Sequence, residues 1–533
     1  MSWLAHFPAR PVLVLLAMCG VLFFFGLNAS ELYQTESLRA ILAAEFLRSG
    51  NWIVPTLYGE PLLTKPPGMY MAIALASWPF SEVSAVTARL PSALAATATV
   101  LLFYAVFARR LGRRAGLIAA AVLPASVLWL GRVPSAEIDL VQLAWVAAAL
   151  LCFLRALEIT EESNHSCFRR EWLWWQLSLL CMAGGLLTKW TAPAFFYLTI
   201  VPLLWRRGQL WVLLRPAHGL SLLVAALPCL AWAAAVAART GWEPLLDAVR
   251  GEALPRLSPA HHTRPYPWHE LIAFPASFLA ASLPWSAAAL WTFSPGFAQL
   301  WDERGRRLLQ LLHCWTWPNL LFWSVVPGHH LRHALPLQPG VAGLAALVWI
   351  AWLDGRLRWP LPSLRPRTVF LTFLALWLAA KLVFVTLIVP ARDSRRAPRE
   401  TAQQIANRVP PEQTLYLFHL KDEGILFYYG RPARRFPSPF FLPPSEHAAY
   451  CLLVESERRQ WIGLLSAELL LRLHDQQGHP IFLVRLTDSF SDASQKRSTD
   501  ASVKRGFVSQ PRFVSKPIPP VSKPSRSRES ALA

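Results

Sequence analysis

Two acids and one cation stand out by type and setting. Glu36 opens the run E-S-L-R-A-I-L-A-A-E-F-L-R-S-G. Leu38, Ile41, Leu42, Glu45 and Phe46 recur there at helical period, with Arg39 and Arg48 elsewhere on the wheel. Ser49-Gly50 predicts the end of that helix. Trp52, Pro55 and Tyr58 follow, and then Lys65-Pro66-Pro67-Gly68. Proline cannot sit inside a regular helix, so Lys65 lies on a stiff turn. A cation held on a rigid turn meets a phosphate with little further loss of entropy. Its blander role is an anchor among lipid headgroups. Asp139 lies in P-S-A-E-I-D-L, at the entrance of an apolar segment. A carboxylate at membrane depth is costly and needs a reason to be there. That reason is either chemistry or a structural one, a helix cap or a pair with Arg132. Glu137 is two residues away and on a helix would face another side, which makes it the weaker candidate. Glu36 also has a plain reading, an exposed acid on an amphipathic helix. A helix presenting Glu36 and a turn presenting Lys65 would set an acid and a cation beside an amphiphilic substrate.

The surroundings decide what positions these residues. The chain has 533 residues, 54% hydrophobic and only 16% charged. That is too apolar for an ordinary soluble protein. Apolar runs of about 20 residues bounded by arginines read as transmembrane helices. The expected spans are 11–27, 84–108, 115–131, 137–157, 172–188, 191–205, 217–238, 271–292, 307–326, 331–353 and 367–389. A further apolar piece, 69–81, lies in the interface or pairs with another span. The first span reads as uncleaved, because no small-x-small site follows Val12 to Leu27. The net charge of +20 comes from arginines at helix ends and in the C-terminal tail, which argues for membrane topology and against a nucleic-acid partner. The seven cysteines are scattered and make no metal or disulfide pattern.

Orientation follows from charge. With the N-terminus inside, the inner loops hold Arg109, Arg110, Arg113, Arg114, Arg155, Arg169, Arg170, Arg206, Arg207, Arg215, Arg304, Arg306, Arg307, Arg356, Arg358, Arg365 and Arg367. The short outer loops hold only Arg132, Lys189 and Arg332. The first outer loop (28–83), the turn before Asp139, the loop 239–270 and everything after Pro390 then lie outside. Residues 1–390 read as the membrane domain and 391–488 as a small periplasmic α/β domain. In that domain helices are expected over 398–408 and near 457–474, and strands over Thr414–His419, Leu426–Tyr429, Tyr450–Val454 and Ile481–Leu486. Residues 489–533 are rich in Ser, Lys, Arg and Pro and read as a disordered basic tail.

The first outer loop resembles polytopic glycosyltransferases of the GT-C fold. The nearest branch holds the 4-amino-4-deoxy-L-arabinose lipid A transferases and the dolichyl-phosphate-mannose protein mannosyltransferase relatives. The residues that match the family's loop are Glu36, Ala40, Ala43, Glu45, Leu47, Ser49, Gly50, Trp52, Pro55, Gly59, Lys65, Pro66 and Pro67. Thr35 stands where the family often has the Asp of an Asp-Glu pair. Asp139 matches an Asp of the family's second outer loop. Lys189, in G-G-L-L-T-K-W-T-A-P, matches a Leu-Thr-Lys-Gly-Pro turn, with Trp190-Thr191 in place of the Gly. It is either a second phosphate contact or a snorkelling anchor. His261 to His269, ahead of Leu283-Pro284-Trp285, resembles the family's outer loop with His and Arg, where Arg264 could clamp a phosphate. Phe322, Ser324 and the stretch Pro327 to Leu337 resemble a later motif. There His329 or His330 replaces a Lys, His333 replaces a Tyr, and Arg332 keeps a fixed charge.

The resemblance implies a mainly α, polytopic fold with about 11–13 transmembrane helices and a small α/β C-terminal domain outside the membrane. It implies an inverting glycosyltransferase of the bacterial inner membrane. The donor would be a polyprenyl-phosphate sugar, and the acceptor a lipid, glycan or protein. A carboxylate must take the acceptor's proton, and cations must stabilise the departing phosphate. Glu36 and Asp139 are the catalytic candidates; Lys65, Arg264, Arg332 and Lys189 are the phosphate-binding ones. No cofactor is required; a divalent cation at the loop histidines is not supported by their spacing, and Thr64 occupies the place of a metal-binding acid in relatives. The alternative class is a transporter or flippase of lipid-linked sugars, which needs no base beside the phosphate site.

Overall fold

Apolar periodicity becomes helix along nearly all of the first 390 residues. The computed structural model describes residues 9–132, 135–162, 168–257, 268–326, 330–361, 363–442, 449–461 and 467–486. Arg264, His261, His329 and the tail 489–533 lie outside them. The chain enters through α1 (Ala9–Cys19), which continues as a wider turn over Gly20–Phe24. The first outer loop then folds as α2 (Thr35–Ser49), a two-stranded hairpin of β1 (Thr56–Leu57) and β2 (Glu60–Pro61), and α3 (Gly68–Ser77). Gly50 ends α2 in the left-handed conformation at φ 66°, as its sequence predicts.

The bundle follows as α4 (Ala85–Leu111), α5 (Arg113–Val122), α6 (Val127–Leu130), α7 (Ile138–Glu162), α8 (Phe168–Thr188), α9 (Ala192–Arg206) and α10 (Pro216–Thr240). Then come α11 (Trp242–Leu257), α12 (Glu270–Ala281), α13 (Trp285–Leu290), α14 (Glu303–Val325), α15 (Gln338–Leu353), α16 (Pro366–Val383) and α17 (Val389–Asp393). Every expected span is found as helix, but two are broken. The span expected over 115–131 stops at Val122 and resumes at Val127, because Pro124 interrupts it. The span expected over 271–292 bends by 106° between Ala281 and Trp285, at Pro284. Among the described residues, five helices are long and apolar enough to cross a membrane, or six if the bent pair is one span.

Leu331–Leu353 is buried along its whole apolar window and forms the central post. Pro216–Thr240 is only 17% buried and the segment from Pro366 only 11%, so their apolar faces look outward, where lipid replaces protein.

The last part of the chain is α18 (Pro398–Arg408), β3 (Leu415–Leu417), α19 (Glu423–Tyr429), β4 (Ala433–Arg435), β5 (Ala449–Val454), α20 (Glu455–Trp461), β6 (Ala467–His474) and β7 (Pro480–Leu486). The strands form one sheet in the order β4-β3-β5-β7-β6. β3 runs parallel to β4 and β5; β7 runs antiparallel to β5 and β6. Two expectations are corrected here. Leu426–Tyr429 is helix, not strand: the Asp422 carboxylate accepts the Ile425 N–H at 3.1 Å and caps it, and Gly430 closes it. The helix expected over 457–474 is a short helix that ends at Trp461 and then β6, whose backbone pairs with β7. Ladder pairing there overrides the helical propensity of A-E-L-L-L-R-L.

The sheet domain shares a core with the first outer loop. Leu42, Phe46 and Ile73 of α2 and α3 belong to one apolar cluster with Ile405, Ile425 and Leu452. Polar contacts sew the same seam: Leu32 N–H donates to the Tyr428 hydroxyl at 2.9 Å, and Arg399 pairs with Glu31 at 2.9 Å.

Candidate active site

The site is built where the first outer loop, the start of α7, the α8–α9 turn and the lead-in to α15 converge. Gly68 begins α3 directly against the end of α8. A Cβ there would lie 2.7 Å from the Leu187 carbonyl oxygen, so only glycine admits this approach. The Trp190 indole N–H donates to the Thr64 carbonyl at 3.2 Å. The Lys65 turn is thus pinned against the turn that carries Lys189. The Lys65 ammonium itself reaches back to the Thr64 carbonyl at 3.3 Å.

Lys189 points inward and pairs with Asp139. Both are buried, Lys189 at 8% and Asp139 at 1% exposure. Its snorkelling role is thereby replaced by an ion pair at the start of α7. The Glu137 carboxyl lies against that of Asp139. Burial pushes Glu137 above its ordinary value, Arg39 opposes this, and the neighbouring Asp139 charge adds to it. Two arginines approach Glu137 without closing on it, Arg39 at 3.5 Å and Arg132 at 3.6 Å. Its Oε1 is buried and has no hydrogen-bond partner. From the lead-in to α15, the Arg332 and His333 charges act on Glu137 and Asp139 respectively. Arg332 Nε is also buried without a hydrogen-bond acceptor. A buried guanidinium N–H left open is a donor waiting for an anion.

Glu36 stands differently. Arg89 grips both its oxygens, Nε to Oε1 at 3.1 Å and Nη2 to Oε2 at 3.1 Å. The Ala136 N–H also donates to Oε1 at 2.7 Å. Arg89 is 1% exposed and spends its other donors on the Leu27 and Ser30 carbonyls, at 2.8 and 2.9 Å. Arg39 reaches the Ala136 carbonyl. Ala136 therefore ties the Glu36 clamp to the Glu137–Asp139 pair.

The fold thus brings Asp139, Lys189, the Lys65 turn and Arg332 into one seam, with Glu36 beside it. By sequence alone, Arg39 and Arg89 carry no site role and Glu137 ranks behind Asp139. A buried arginine in an apolar run demands a carboxylate, and that signal was legible at Arg89. Glu137 was set aside by helical geometry, but α7 starts at Ile138. Glu137 lies in the extended segment before the helix, where residues two apart can turn toward one another.

Residues 64–232 match the family described as Dolichyl-phosphate-mannose-protein mannosyltransferase. The chain is 30% identical over 413 residues to an undecaprenyl phosphate-alpha-4-amino-4-deoxy-L-arabinose arabinosyl transferase of Pseudomonas aeruginosa, over 69% of this chain and 70% of that one. A relative of the same description from Pectobacterium carotovorum is 27% identical over 350 residues, covering 64% of this chain and 59% of its own. The fold superposes on the crystal structure of ArnT from Cupriavidus metallidurans bound to undecaprenyl phosphate with a TM-score of 0.70, at 17% identity, over 89% of this chain and 97% of that one. By its sequence and its fold, the chain belongs to this family of multi-pass GT-C membrane glycosyltransferases, which take a sugar from a polyprenyl-phosphate carrier.

Proposed function

We propose that the chain moves a 4-amino-4-deoxy-L-arabinose-type sugar from undecaprenyl phosphate to a lipid A-type acceptor at the periplasmic face of the inner membrane. The observation that carries this reading is the buried Asp139–Lys189 pair beside the Lys65 turn, with the Arg332 charge acting on the adjacent Glu137. The acceptor oxygen attacks the anomeric carbon, and the bond to the phosphate oxygen breaks with its electron pair on the phosphate. Asp139 takes the acceptor's proton. Lys65, Lys189 and Arg332 receive the phosphate charge; Arg264, outside the described residues, is assigned to the same role. When the donor phosphate arrives, Lys189 is shared between it and Asp139, and the carboxylate is released for the proton. No cofactor enters this scheme, so turnover should persist with EDTA.

The direct test is transfer from labelled undecaprenyl-phosphate sugar to lipid A by the purified protein in nanodiscs. Asp139→Asn should bind undecaprenyl phosphate and transfer no sugar; substantial transfer by that variant would remove Asp139 as base. A C-terminal alkaline phosphatase fusion tests the orientation, since the arginine bias puts the tail after Pro390 outside. An inactive phosphatase beside a fluorescent GFP fusion would reverse it.

A further inference from the structure

A second site lies on the far side of α2. A cavity of about 760 Å³ opens between that helix, the hairpin tip, the chain after α3 and the sheet domain. Ile41, Ala44, Glu45 and Arg48 of α2 line it. At 100° per residue these positions face away from Glu36 and Arg39, so the cavity is not part of the seam that holds Asp139.

Three independent features show what it would take. The first is charge: Arg48, Arg399, Arg431 and Arg434 line it against two acids, Glu45 and Glu82. Arg399 is held by Glu31, and Arg431 donates to the Ala406 and Val409 carbonyls at 2.9 Å, so these two are fixed in place. Arg434 is exposed at the rim. The second is Tyr58, whose buried hydroxyl has no hydrogen-bond partner. It sits at φ 55° and Gly59 at φ 88°, a two-residue hairpin turn that ordinarily takes Asn at its first position. A tyrosine held in the left-handed region is strained, and such residues collect at ligand clamps. The Arg435 guanidinium, 4.9 Å from the ring centroid, holds it there. The third is position: the lining residues Ser81 to Ala85 directly follow Trp78 and Phe80, which are 61% and 66% exposed. Exposed aromatics beside a membrane bundle mark headgroup depth.

We infer that this cavity is a docking subsite for the phosphorylated sugar headgroup of the acceptor lipid. Guanidinium groups suit its phosphate. A lipid lying in the leaflet would reach the cavity past Trp78 and Phe80, while the donor lipid is held separately by the Lys65 turn. The inference rests on the reading of a lipid acceptor, and binding can be measured apart from transfer.

The test is native mass spectrometry of the full-length protein in phosphatidylcholine nanodiscs, titrated with bis-phosphorylated lipid A, with dephosphorylated lipid A and with undecaprenyl phosphate. Arg434→Glu and Arg48→Glu, both at exposed arginines of the lining, disturb no buried contact. Each should weaken phosphorylated lipid A binding about tenfold, the worth of one charge-assisted contact. Each should raise the acceptor KM while kcat and undecaprenyl phosphate binding stay unchanged. Dephosphorylated lipid A should bind weakly to all forms. Equal lipid A binding by wild type and both variants overturns the subsite, and so does loss of undecaprenyl phosphate binding instead. Competition by phosphatidylglycerol as effective as by lipid A would make this a general lipid-phosphate site and overturn its sugar specificity. Lipid A binding that follows this pattern without any transfer would leave the subsite standing and sink the proposed reaction.

Discussion

Two carboxylates lie at the same end of the bundle, linked through the segment 136–139, and their surroundings are opposite. Glu36 receives three hydrogen bonds, two from Arg89 and one from the Ala136 amide. Both partners are fixed: Arg89 is buried and tied to the carbonyls of Leu27, Ser30 and Glu31. Asp139 is paired with the Lys189 ammonium, and beside it Glu137 Oε1 and, acting on Glu137, Arg332 Nε are buried without a hydrogen-bond partner. A saturated carboxylate can hold a loop to a helix, but it has little left for a substrate. An under-satisfied pair stores polar capacity at a cost of order 1–3 kcal/mol per open group, which the fold tolerates where a ligand completes it. On this ground we propose that the Glu36 clamp is a positioning device and the Asp139 pair the reacting one.

The comparison breaks or holds on paired variants. Asp139→Asn should lower transfer per folded molecule by about a hundredfold to ten-thousandfold, the usual worth of a general base, and because it leaves the buried Lys189 without its carboxylate it should also lower the melting temperature. If its transfer stays within a few-fold of wild type while Glu36→Gln is inactive, the two roles are exchanged.

Removing the other charge should act on folding. Glu36→Gln leaves Arg89 buried and half-partnered, and loss of one member of a buried pair costs about 3–5 kcal/mol. A thermal-shift assay should show that loss, while turnover per folded molecule remains close to wild type. An unchanged melting temperature would show that the clamp is not structural.

Lys65→Ala probes the phosphate side of the seam. By analogy with loss of one preorganised donor, it should cost about 2.7–4 kcal/mol in kcat/KM. Lys65→Arg should not restore it, because a planar fork does not replace a compact ammonium on a rigid turn. Full activity in Lys65→Ala would remove that turn from the site.

The smallest effect concerns Glu137, whose folded-state value is raised by burial. A carboxyl raised in the folded state adds stability below its unfolded value and loses it as pH rises through the folded one. Wild type should therefore lose stability relative to Glu137→Gln as pH climbs above the ordinary carboxylate range. Parallel melting curves of the two proteins from pH 4 to pH 9 would contradict this, and Glu137 would then be ionised throughout.

The particular residues show how far reading a chain can go. The helices were legible because an apolar run must bury itself or meet lipid, whatever its neighbours. The Lys65 turn was legible from proline alone. Leu426–Tyr429 misled because four apolar residues fit a strand or a helix equally, and the arbiter was the Asp422 cap. Residues 467–474 misled because their intrinsic preference is helical and a partner strand outbid it.

The sequence by itself determined a multi-pass helical protein with a small sheet domain, and it named two acids and four cations, of which the structure describes both acids and three cations; Arg264 lies outside the described residues. Hydrophobic period, proline and charge bias act locally, so they can be read locally. Only the tertiary structure decided which acid is clamped and which is open. That depends on Arg89, Lys189 and Ala136, which lie 53, 50 and 100 residues from the carboxylates they meet. Pairing across such separations is settled by how helices pack, and no spacing along the chain encodes it.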